Sequence, residues 1–586
     1  MEHFYSVEKN AQMLLALLKA HGIKRIIASP GGTNVAFVAS AQCDSFFEMY
    51  SCVDERSAAY MACGMAAESG EPVVLSCTGA TASRNYMPGL TEAYYRKLPV
   101  LAVTSSRAEQ QLGQLRPQIT NRTDIPRDIV MEHVVAPFII DKNTEQQCRV
   151  AINKAILALS HNGGGPAHID LHTFTSAEFS SVNLLNVTPI YRITEWNTTV
   201  PDITKERITI FIGSHRPFLK NEEQVIERFC ESHDAIILTD HTSNYYGKYA
   251  LPSSLLLGQY GYQGILRNPS LLIHLGEISG DYYSMNIYPK EVWRLSEDGE
   301  IRDLFGTLSY VFEMSPLQFF EHYSNTNQQK GCSFFETCLT EYKSVLDRMP
   351  ELPFSNAWIA RQMSGKIPSG SVVHLGILNS LRCWNFFAFP DGVRSDCNVG
   401  GFGIDGSLST IVGASIVHPN QLYFAILGDL GFFYDMNALG NRHIAANMRI
   451  MLINNGLGQE FKNPGYVDSY HLGELTDSYI AAKGHFSSQS RFLVKHYAED
   501  LGFEYLSASN KDAFVAVYPK FLSANSERPI LFEVFTNTIE ETEALSLILN
   551  IIPKSVAKQS FGKKLKKKVK GILSAEKVSA IKTLLS

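Results

Sequence analysis

The chain has 586 residues, too many for a single hydrophobic core, which predicts about three domains. Hydrophobic residues make up 45% and charged residues 19%, which indicates an ordered globular protein rather than a disordered one. The formal net charge of -6 argues against nucleic acid as the main partner, because a phosphate backbone needs a broad basic surface.

The ten cysteines are scattered and form no Cys-x-x-Cys pair, so neither a zinc site nor a disulfide framework is expected. A reducing cytoplasm is the simplest setting for such a chain. The N-terminal residues lack a basic segment followed by an apolar run, so no signal peptide is predicted. No uninterrupted apolar stretch reaches the roughly 18–20 residues that a membrane-spanning helix needs.

Short apolar strands alternate with helical patterns along most of the chain. This alternation predicts an α/β protein in which parallel sheets are flanked by helices. Linker-like segments divide it into three predicted domains, residues 1–185, 200–335 and 355–545, followed by a basic tail over residues 554–586. The first and third domains are candidates for a shared sheet architecture.

In the first domain, four segments predict strands: RIIASP, PVVLSCTG, LPVLAVTSS and GPAHIDLHT. The first of them ends at Pro30, Gly31 and Gly32. A helix is predicted to begin near Asp54, which places Glu55 in its first turn. Taken alone, an acid at this position most simply stabilises the helix N-terminus.

The second domain carries ITIFIGSH, AIILTDHTS and LLIHLGE, three short strands that each end in small or polar residues. It shows no reactive constellation, so a structural role is expected for it.

The third domain holds the strongest chemical pattern, because polar residues follow two consecutive strands. Asp429 comes directly after YFAIL-Gly, and Asn454 and Asn455 end the run that begins RIMLI. A helix-length segment, 433–447, joins the strands, so they should be parallel neighbours whose carboxyl ends share the ligand-binding edge. One carboxylate, one amide oxygen and a nearby carbonyl suit Mg²⁺. Glycines at positions 428, 431, 456 and 458 let the backbone approach a diphosphate closely.

The tail is different in character. In FGKKLKKKVKGIL, apolar residues recur at helical spacing and lysines fill the remaining positions. This pattern predicts a basic amphipathic helix, which either contacts an anionic membrane surface or a partner, or packs on its own protein.

Gly428-Asp429 followed after the next strand by Asn454-Asn455 resembles the signature of thiamine-diphosphate enzymes. The resemblance covers roughly residues 1–535, and the run that begins TGATASR looks like the corresponding segment of acetolactate-synthase-type enzymes. It implies thiamine diphosphate and Mg²⁺ as cofactors. It also implies a homodimer or homotetramer, because in this family the glutamate and the metal site meet across a subunit boundary.

The resemblance assigns roles residue by residue. Asp429 and Asn455 would ligate Mg²⁺ by their side chains, and Leu457 by its backbone carbonyl. Glu55 would bond N1′ of the aminopyrimidine, which favours the imino form that generates the nucleophilic ylide. The other implied cofactor contacts are Pro30, Gly31, Gly32, Thr78, Ser380, Ile404, Gly428, Leu430, Gly458 and Gln459, with Ile404 as the apolar buttress of the bent coenzyme.

GGFGIDGSLSTIVGAS looks like the Gly-Ile-Asp-Gly segment of the menaquinone-pathway SEPHCHC synthases, which join decarboxylated 2-oxoglutarate to isochorismate. Three departures matter. Gly32-Thr33 stand where those enzymes have Ser-Arg, Asn398-Val399-Gly400 stand where they have Asn-Arg-Gly, and Trp384 stands where they have a further arginine. Arginine pairs with carboxylates in a way that other residues do not imitate. Different substrates are therefore expected, with pyruvate or another small 2-oxo acid as donor. The expected substrate-side residues are Thr33, Arg107, Gln118 and Arg382.

The expected reaction is decarboxylation of a 2-oxo acid and carboligation of the resulting enamine to a second carbonyl or conjugated acceptor. Simple protonation, which releases an aldehyde, remains open. A second alternative is a nicotinamide-dependent oxidoreductase, since Gly401-x-Gly403-x-x-Gly406 followed by Asp429 fits a dinucleotide fingerprint. A third is a catalytically silent scaffold that docks through its basic tail.

Overall fold

The computed structural model describes residues 4–554 except 108, 123, 175–177, 198, 325–329 and 465–471. The chain divides into two compact units. The first comprises Met1–Thr204, Leu271–His274 and Pro289–His322, and the second comprises Lys205–Ser270, Leu275–Tyr288 and Tyr323–Ser586. The predicted basic tail lies outside the described residues except for Lys554.

The strands in chain order are β1 Tyr5–Ser6, β2 Arg25–Ala28, β3 Glu48–Ser51, β4 Val73–Thr78, β5 Val100–Ser106, β6 Glu132–Ala136, β7 Ala167–His172, β8 Phe179–Ser181, β9 Tyr191–Thr194, β10 Ile208–Ile212, β11 Ala235–Thr239, β12 Ala250–Pro252, β13 Leu271–Leu275, β14 Val292–Leu295, β15 Leu308–Glu313, β16 Val372–Leu375, β17 Arg394–Asp396, β18 Tyr423–Gly428, β19 Met448–Asn454, β20 Glu504–Ala508 and β21 Ile530–Phe535.

The α-helices in chain order are α1 Lys9–Ala20, α2 Val35–Gln42, α3 Glu55–Ser69, α4 Thr81–Asn85, α5 Met87–Arg96, α6 Lys142–Ala158, α7 Lys220–His233, α8 Ser254–Leu257, α9 Pro316–Ser324, α10 Ser333–Asp347, α11 Asn356–Met363, α12 Asn379–Trp384, α13 Ser407–Val417, α14 Asp429–Tyr434, α15 Leu475–Tyr479, α16 Leu493–Asp500, α17 Lys511–Leu522 and α18 Thr538–Leu549. None of the helices in the described part of the chain combines the length and the apolarity that crossing a bilayer requires.

The first unit is built around a six-stranded parallel sheet with the order β3-β2-β4-β5-β7-β6. Its central strand β5 is fully buried, and successive residues point to opposite faces. Leu101 and Val103 pack with the apolar residues of α1 and α6, whereas Val100 and Ala102 pack with those of α3 and α5. The unit also contains the antiparallel pair β1-β8 and the parallel strands β13-β14-β15-β9, of which β13 contributes all but its last residue.

The second unit contains the parallel strands β12-β11-β10 and a six-stranded parallel sheet with the order β17-β16-β18-β19-β21-β20. On one face of this sheet, aliphatic residues of β18 and β19 pack with α13 and the phenylalanines of α14. The α/β class with parallel sheets is therefore confirmed. The strands of the predicted central domain are divided between the two units, and the predicted domain boundaries remain predictions.

The two six-stranded sheets share one topology. Numbered within its own sheet, each has the strand order 2-1-3-4-6-5. In parallel sheets of this kind, ligands bind beyond the carboxyl ends of strands 1 and 3, where the winding direction reverses. The loops after β2 and β4 in the first unit, and after β16 and β18 in the second, lie at this position.

One predicted element is wrong in extent. The segment 433–447 was expected to form the helix between β18 and β19, but the helix, α14, begins at Asp429 and ends at Tyr434. A short 3₁₀ turn, Met436–Gly440, follows it. The side chain of Asp435 accepts hydrogen bonds from the backbone N–H (2.7 Å) and the hydroxyl (2.6 Å) of Ser409, which fixes the chain where the helix stops.

Candidate active site

A cavity of about 150 Å³ lies at the carboxyl edge of the sheet in the second unit. It brings together ten residues that the sequence singled out from four separate segments. They are Ser380, Ile404, Gly428, Asp429, Leu430, Gly431, Asn455, Leu457, Gly458 and Gln459. These residues lie close together because strands 1, 3 and 4 of the sheet are parallel neighbours, so the loops that follow them meet at one edge.

Asp429 is the most unusual residue in the cavity wall. It is the first residue of α14, its exposed fraction is 5%, and its Oδ1 accepts a hydrogen bond from the backbone N–H of Leu430 at 2.8 Å. Burial raises its pKa to about 7. No lysine or arginine in the described residues forms an ion pair with it. A buried carboxylate without such an ion pair requires a cation or a proton, and carboxylate and amide oxygens are suitable ligands for a hard cation.

Asn455 lies beside Asp429 in the fold. β18 and β19 are adjacent and parallel, with Gly428 opposite Ile453, so both side chains follow the same edge of the sheet as predicted. The backbone N–H of Leu457 donates to Asn455 Oδ1 at 3.2 Å. Gly456 between them has φ +80°, a left-handed conformation that favours glycine.

Asn454 has a different role from its neighbour. Its amide donates to Glu533 Oε1 at 2.6 Å and its Oδ1 accepts from the Ser487 hydroxyl at 3.0 Å. Glu533 is fully buried and also accepts from the Tyr505 hydroxyl at 2.7 Å. Asn454 thus anchors the loop from behind, and of the two asparagines only Asn455 lines the cavity.

A buried polar network behind Ser380 was not found by sequence reasoning. Asn356 lines the cavity, and its amide donates to the Ser380 hydroxyl at 3.3 Å. It accepts from the Trp384 indole at 3.0 Å, and its backbone N–H donates to Glu541 Oε1 at 2.9 Å. Burial raises the pKa of Glu541 to about 7. These residues come from three distant helices, so no local spacing in the sequence signals them.

Arg382 does not line this cavity, although the sequence placed it on the substrate side. Its guanidinium forms a two-pronged ion pair with Glu460, in which Nη2 donates to Oε1 at 2.8 Å and Nη1 donates to Oε2. Burial lowers the pKa of Arg382, but the hydrogen bonds and charge of Glu460 raise it above its ordinary value. Glu460 itself does line the cavity, and sequence reasoning missed it.

In the first unit, the predicted Pro-Gly-Gly segment forms the loop after β2. A Cβ added to Gly31 would stand 2.7 Å from Thr78 Cβ, so only glycine allows this close approach. The Thr33 hydroxyl shares a hydrogen bond with the Thr78 hydroxyl and donates to the Ser105 carbonyl at 2.6 Å. These hydrogen bonds therefore connect the loops after β2 and β4, which lie at the same edge of the sheet.

Glu55 is the first residue of α3 and is half-buried. Asp54 caps the helix, because its Oδ1 accepts from the Ser57 backbone N–H at 2.7 Å. The cap leaves the Glu55 carboxylate available for another role, and its Oε2 accepts from the Asn85 amide at 3.2 Å.

Arg107 and Gln118 lie in the long connection between β5 and β6, and both are exposed. Gln118 has φ +65°, which is uncommon for a residue with a side chain.

A buried ion pair supports this edge of the first unit and was not predicted. Arg122 Nε and Nη2 donate to Asp170 at 3.1 and 3.0 Å, and the Ser106 hydroxyl donates to the same carboxylate at 2.8 Å. A Cβ added to Gly79 would stand 3.1 Å from Arg122 Nη1, so the loop that follows Thr78 lies directly against the guanidinium.

Among the described residues there is no group of three or more His, Cys, Asp or Glu side chains that could hold a metal ion. Around Asp429 the cavity wall instead combines its carboxylate with the side-chain amide of Asn455 and the backbone of Leu457. Such a sparse set is the kind that Mg²⁺ uses when phosphate oxygens complete its shell.

Comparison with known proteins agrees with this geometry. The family model "Thiamine pyrophosphate enzyme, N-terminal TPP binding domain" matches residues 8–125. The chain belongs to the thiamine-pyrophosphate-dependent enzymes, and thiamine pyrophosphate, also called thiamine diphosphate, is their cofactor, with Mg²⁺ as the usual metal.

The similar curated proteins carry the name 2-succinyl-5-enolpyruvyl-6-hydroxy-3-cyclohexene-1-carboxylate synthase. The one from Bacteroides thetaiotaomicron is 30% identical over 572 residues, covering 92% of this chain and 98% of that protein. The one from Phocaeicola vulgatus is 30% identical over 577 residues with the same coverage. The one from Desulfotalea psychrophila is 26% identical, covering 79% of this chain and 90% of its own.

These findings confirm the predicted resemblance and the prediction of a thiamine-diphosphate-dependent enzyme of the decarboxylating and carboligating kind. The nicotinamide alternative is not supported by the fold. The strand before Gly401-x-Gly403-x-x-Gly406 is the three-residue edge strand β17, and Ile404 in this segment lines the cavity described above.

Proposed function

We propose that the enzyme decarboxylates a 2-oxo acid and joins the remaining carbon unit to a second carbonyl or conjugated acceptor, with thiamine diphosphate and Mg²⁺. The observation that carries the proposal is the cavity at the 1-3 strand edge of the second unit, with a buried Asp429 in its wall. The names of the relatives, which are synthases, support ligation over simple release of an aldehyde.

The residues around Asp429 fit a metal-bound diphosphate. Asp429 and Asn455 would hold Mg²⁺ by their side chains and Leu457 by its backbone carbonyl. The metal would supply a positive charge beside the buried carboxylate, which a diphosphate group also needs. Gly428 and Gly458 line the same wall and keep it free of side chains.

Glu55 would hold a proton at N1′ of the aminopyrimidine, since its helix is already capped by Asp54 and its carboxylate is not needed there. When bound, thiamine diphosphate supplies the nucleophilic carbon and the electron sink for loss of CO₂. Ile404 would press against the coenzyme as an apolar buttress. The other proposed cofactor contacts are Pro30, Gly31, Gly32 and Thr78 in the first unit and Ser380, Leu430 and Gln459 in the second.

The substrates would be small molecules, and Thr33, Arg107 and Gln118 are the proposed residues on their side. Arg382, which does not line the cavity, would act there only through Glu460. We also propose a homodimer or homotetramer. Large apolar side chains around Glu55 are exposed in the single chain, with exposed fractions of 77% for Val53 and 49% for Tyr60. Such a patch indicates a surface that a partner covers.

Two further assignments remain proposals. The cytoplasm fits a chain whose ten cysteines are all free thiols. The basic segment within residues 554–586 is proposed to contact an anionic membrane surface or a protein, because lysines and apolar residues alternate there at helical spacing.

The test supplies thiamine diphosphate, Mg²⁺ and a panel of 2-oxo acids, follows CO₂ release, and then adds carbonyl or conjugated acceptors to trap the product. Asp429→Ala should no longer retain the cofactor. Glu55→Gln should retain the cofactor but lose turnover by about 10²–10⁴-fold. Glu68→Gln, an exposed glutamate at the far end of the same helix, is the matched control.

Full turnover in the Asp429 or Glu55 variant would contradict the assignment of these residues. CO₂ release that no acceptor traps would favour simple decarboxylation. If a spectral titration shows that the protein binds NADH instead of thiamine diphosphate, the result would favour the nicotinamide alternative.

A further inference from the structure

One wall of the cavity carries an acidic side chain whose charge is neutralised from behind. Asn379, Glu460 and Phe461 line the cavity, whereas Arg382 does not. Arg382 belongs to α12 and Glu460 to the short 3₁₀ turn Gln459–Lys462. Their side chains are 10% and 11% exposed, so the pair is largely shielded from solvent.

The hydrogen bonds fix the orientation of this carboxylate. Both Glu460 oxygens accept from the Arg382 fork, and Oε2 also accepts from the Asn463 amide at 3.3 Å. The guanidinium lies 5.9 Å from the centroid of the Tyr283 ring. A fork of this geometry binds one carboxylate in two places at once, so the Arg382 fork is already engaged by Glu460.

The described residues add no further cation to this wall. Trp384, two residues after Arg382, is fully buried and donates its indole N–H to Asn356. No lysine, arginine or histidine is among the described residues that line the cavity. A ligand that reaches this wall therefore meets a carboxylate acceptor and the ring of Phe461.

We propose that Glu460, held by Arg382, determines donor specificity by selecting a 2-oxo acid with an uncharged, hydroxylated far end over a 2-oxo dicarboxylate. A second carboxylate would lose hydration at this wall while the Arg382 guanidinium is already engaged, and it would face the acceptor oxygens of Glu460. A hydroxyl could instead donate a hydrogen bond to Glu460. This inference rests on the proposed function, because it assigns the donor of the same site.

The test compares two donors of equal chain length, 2-oxoglutarate and 5-hydroxy-2-oxopentanoate. The wild-type enzyme should favour the hydroxy acid in kcat/KM by at least about ten-fold. Glu460→Gln removes the carboxylate and leaves the Arg382 charge uncompensated, so the preference should shift toward 2-oxoglutarate by at least about ten-fold. Glu351→Gln, which neutralises the exposed partner of Lys511 and does not line the cavity, should keep the wild-type ratio.

A second variant covers the case in which Glu460→Gln destabilises the fold. The double variant Arg382→Leu with Glu460→Leu removes the charged pair together, a replacement that buried pairs often tolerate. It should lose most of the discrimination between the two donors without gaining a preference for 2-oxoglutarate. Thermal unfolding and thiamine diphosphate titration establish that each variant is folded and loaded.

A calorimetric titration of the loaded proteins with two unreactive acids, glutarate and 5-hydroxypentanoate, gives a readout that does not need turnover. The wild type should bind 5-hydroxypentanoate more tightly, and Glu460→Gln should bind glutarate more tightly. If no 2-oxo acid releases CO₂, the proposed function fails, while this titration still decides the role of Glu460. Equal or tighter binding of glutarate by the wild type, an unchanged ratio in Glu460→Gln, or no binding of either acid would overturn the inference.

Discussion

The buried pair Arg122–Asp170 gives the sharpest stability prediction. The side chains are 4% and 2% exposed, and two guanidinium donors and the Ser106 hydroxyl satisfy the carboxylate. Asp170→Asn leaves the Arg122 charge buried without a counter-ion, which costs about 3–5 kcal/mol. For a cooperative unit of roughly 150–250 residues, such a loss of stability lowers Tm by about 6–20 °C.

The assay is thermal unfolding followed by circular dichroism, with titration of thiamine diphosphate in parallel. Cofactor affinity should also fall, because Gly79, which follows Thr78, lies against the guanidinium. The double variant Arg122→Met with Asp170→Leu should recover most of the lost Tm, since a well-packed apolar pair removes the unpaired charge. A Tm within about 1 °C of the wild type for Asp170→Asn, or a double variant no better than the single one, would refute this reasoning.

The same pair has a defined pH dependence. Burial raises the pKa of Asp170, but the hydrogen bonds and charge of Arg122 outweigh it and hold the pKa below the ordinary carboxyl value. The stabilisation is therefore present above the unfolded-state pKa of about 4 and is lost as pH falls through the lower, folded-state pKa. The difference in Tm between wild type and Asp170→Asn should accordingly shrink under acidic conditions.

Three further predictions follow from the site. Gly31→Ala should lower stability by about 1–3 kcal/mol in chemical denaturation, because its Cβ would stand 2.7 Å from Thr78 Cβ; an unchanged midpoint would contradict this packing. Asn454→Ala should lower the free energy of unfolding by about 1–3 kcal/mol, because a buried Glu533 oxygen loses its donor. Asn455→Ala should instead lose cofactor retention with little change in stability. The reverse pattern would contradict the roles assigned to the two asparagines. Removal of residues 555–586 should abolish sedimentation with anionic vesicles and leave turnover intact, and equal vesicle binding would exclude the tail as a membrane contact.

Buried central strands were predictable from the sequence because both of their faces are apolar. The strands β5 and β18 contain runs of consecutive apolar residues, VLAV and YFAIL, for that reason. The edge strands β3 and β20 have half-exposed, polar sequences, EMYS and EYLSA, and carry no such signal. Pairing with a neighbour, rather than local preference, makes them strands.

The candidate site divides in the same way. Asp429 and Asn455 were predictable because a polar residue directly after a buried strand must lie at the ligand-binding edge. The partner of Arg382 was not predictable, because Glu460 is 78 residues away in sequence and only the fold brings the two side chains together. No local sequence pattern indicates Glu541 either, because the residue it contacts, Asn356, is 185 residues away in sequence.

The anchoring of Asn454 has a consequence for how the enzyme acquires its coenzyme. Glu533 and Ser487 hold the loop that bears Asn455 through hydrogen bonds of the protein itself, and the backbone N–H of Thr536 donates to the Asn454 carbonyl at 3.0 Å. A loop that the protein holds in shape loses little conformational entropy on binding. The free energy gained from contacts with the coenzyme therefore contributes to affinity rather than to ordering this loop.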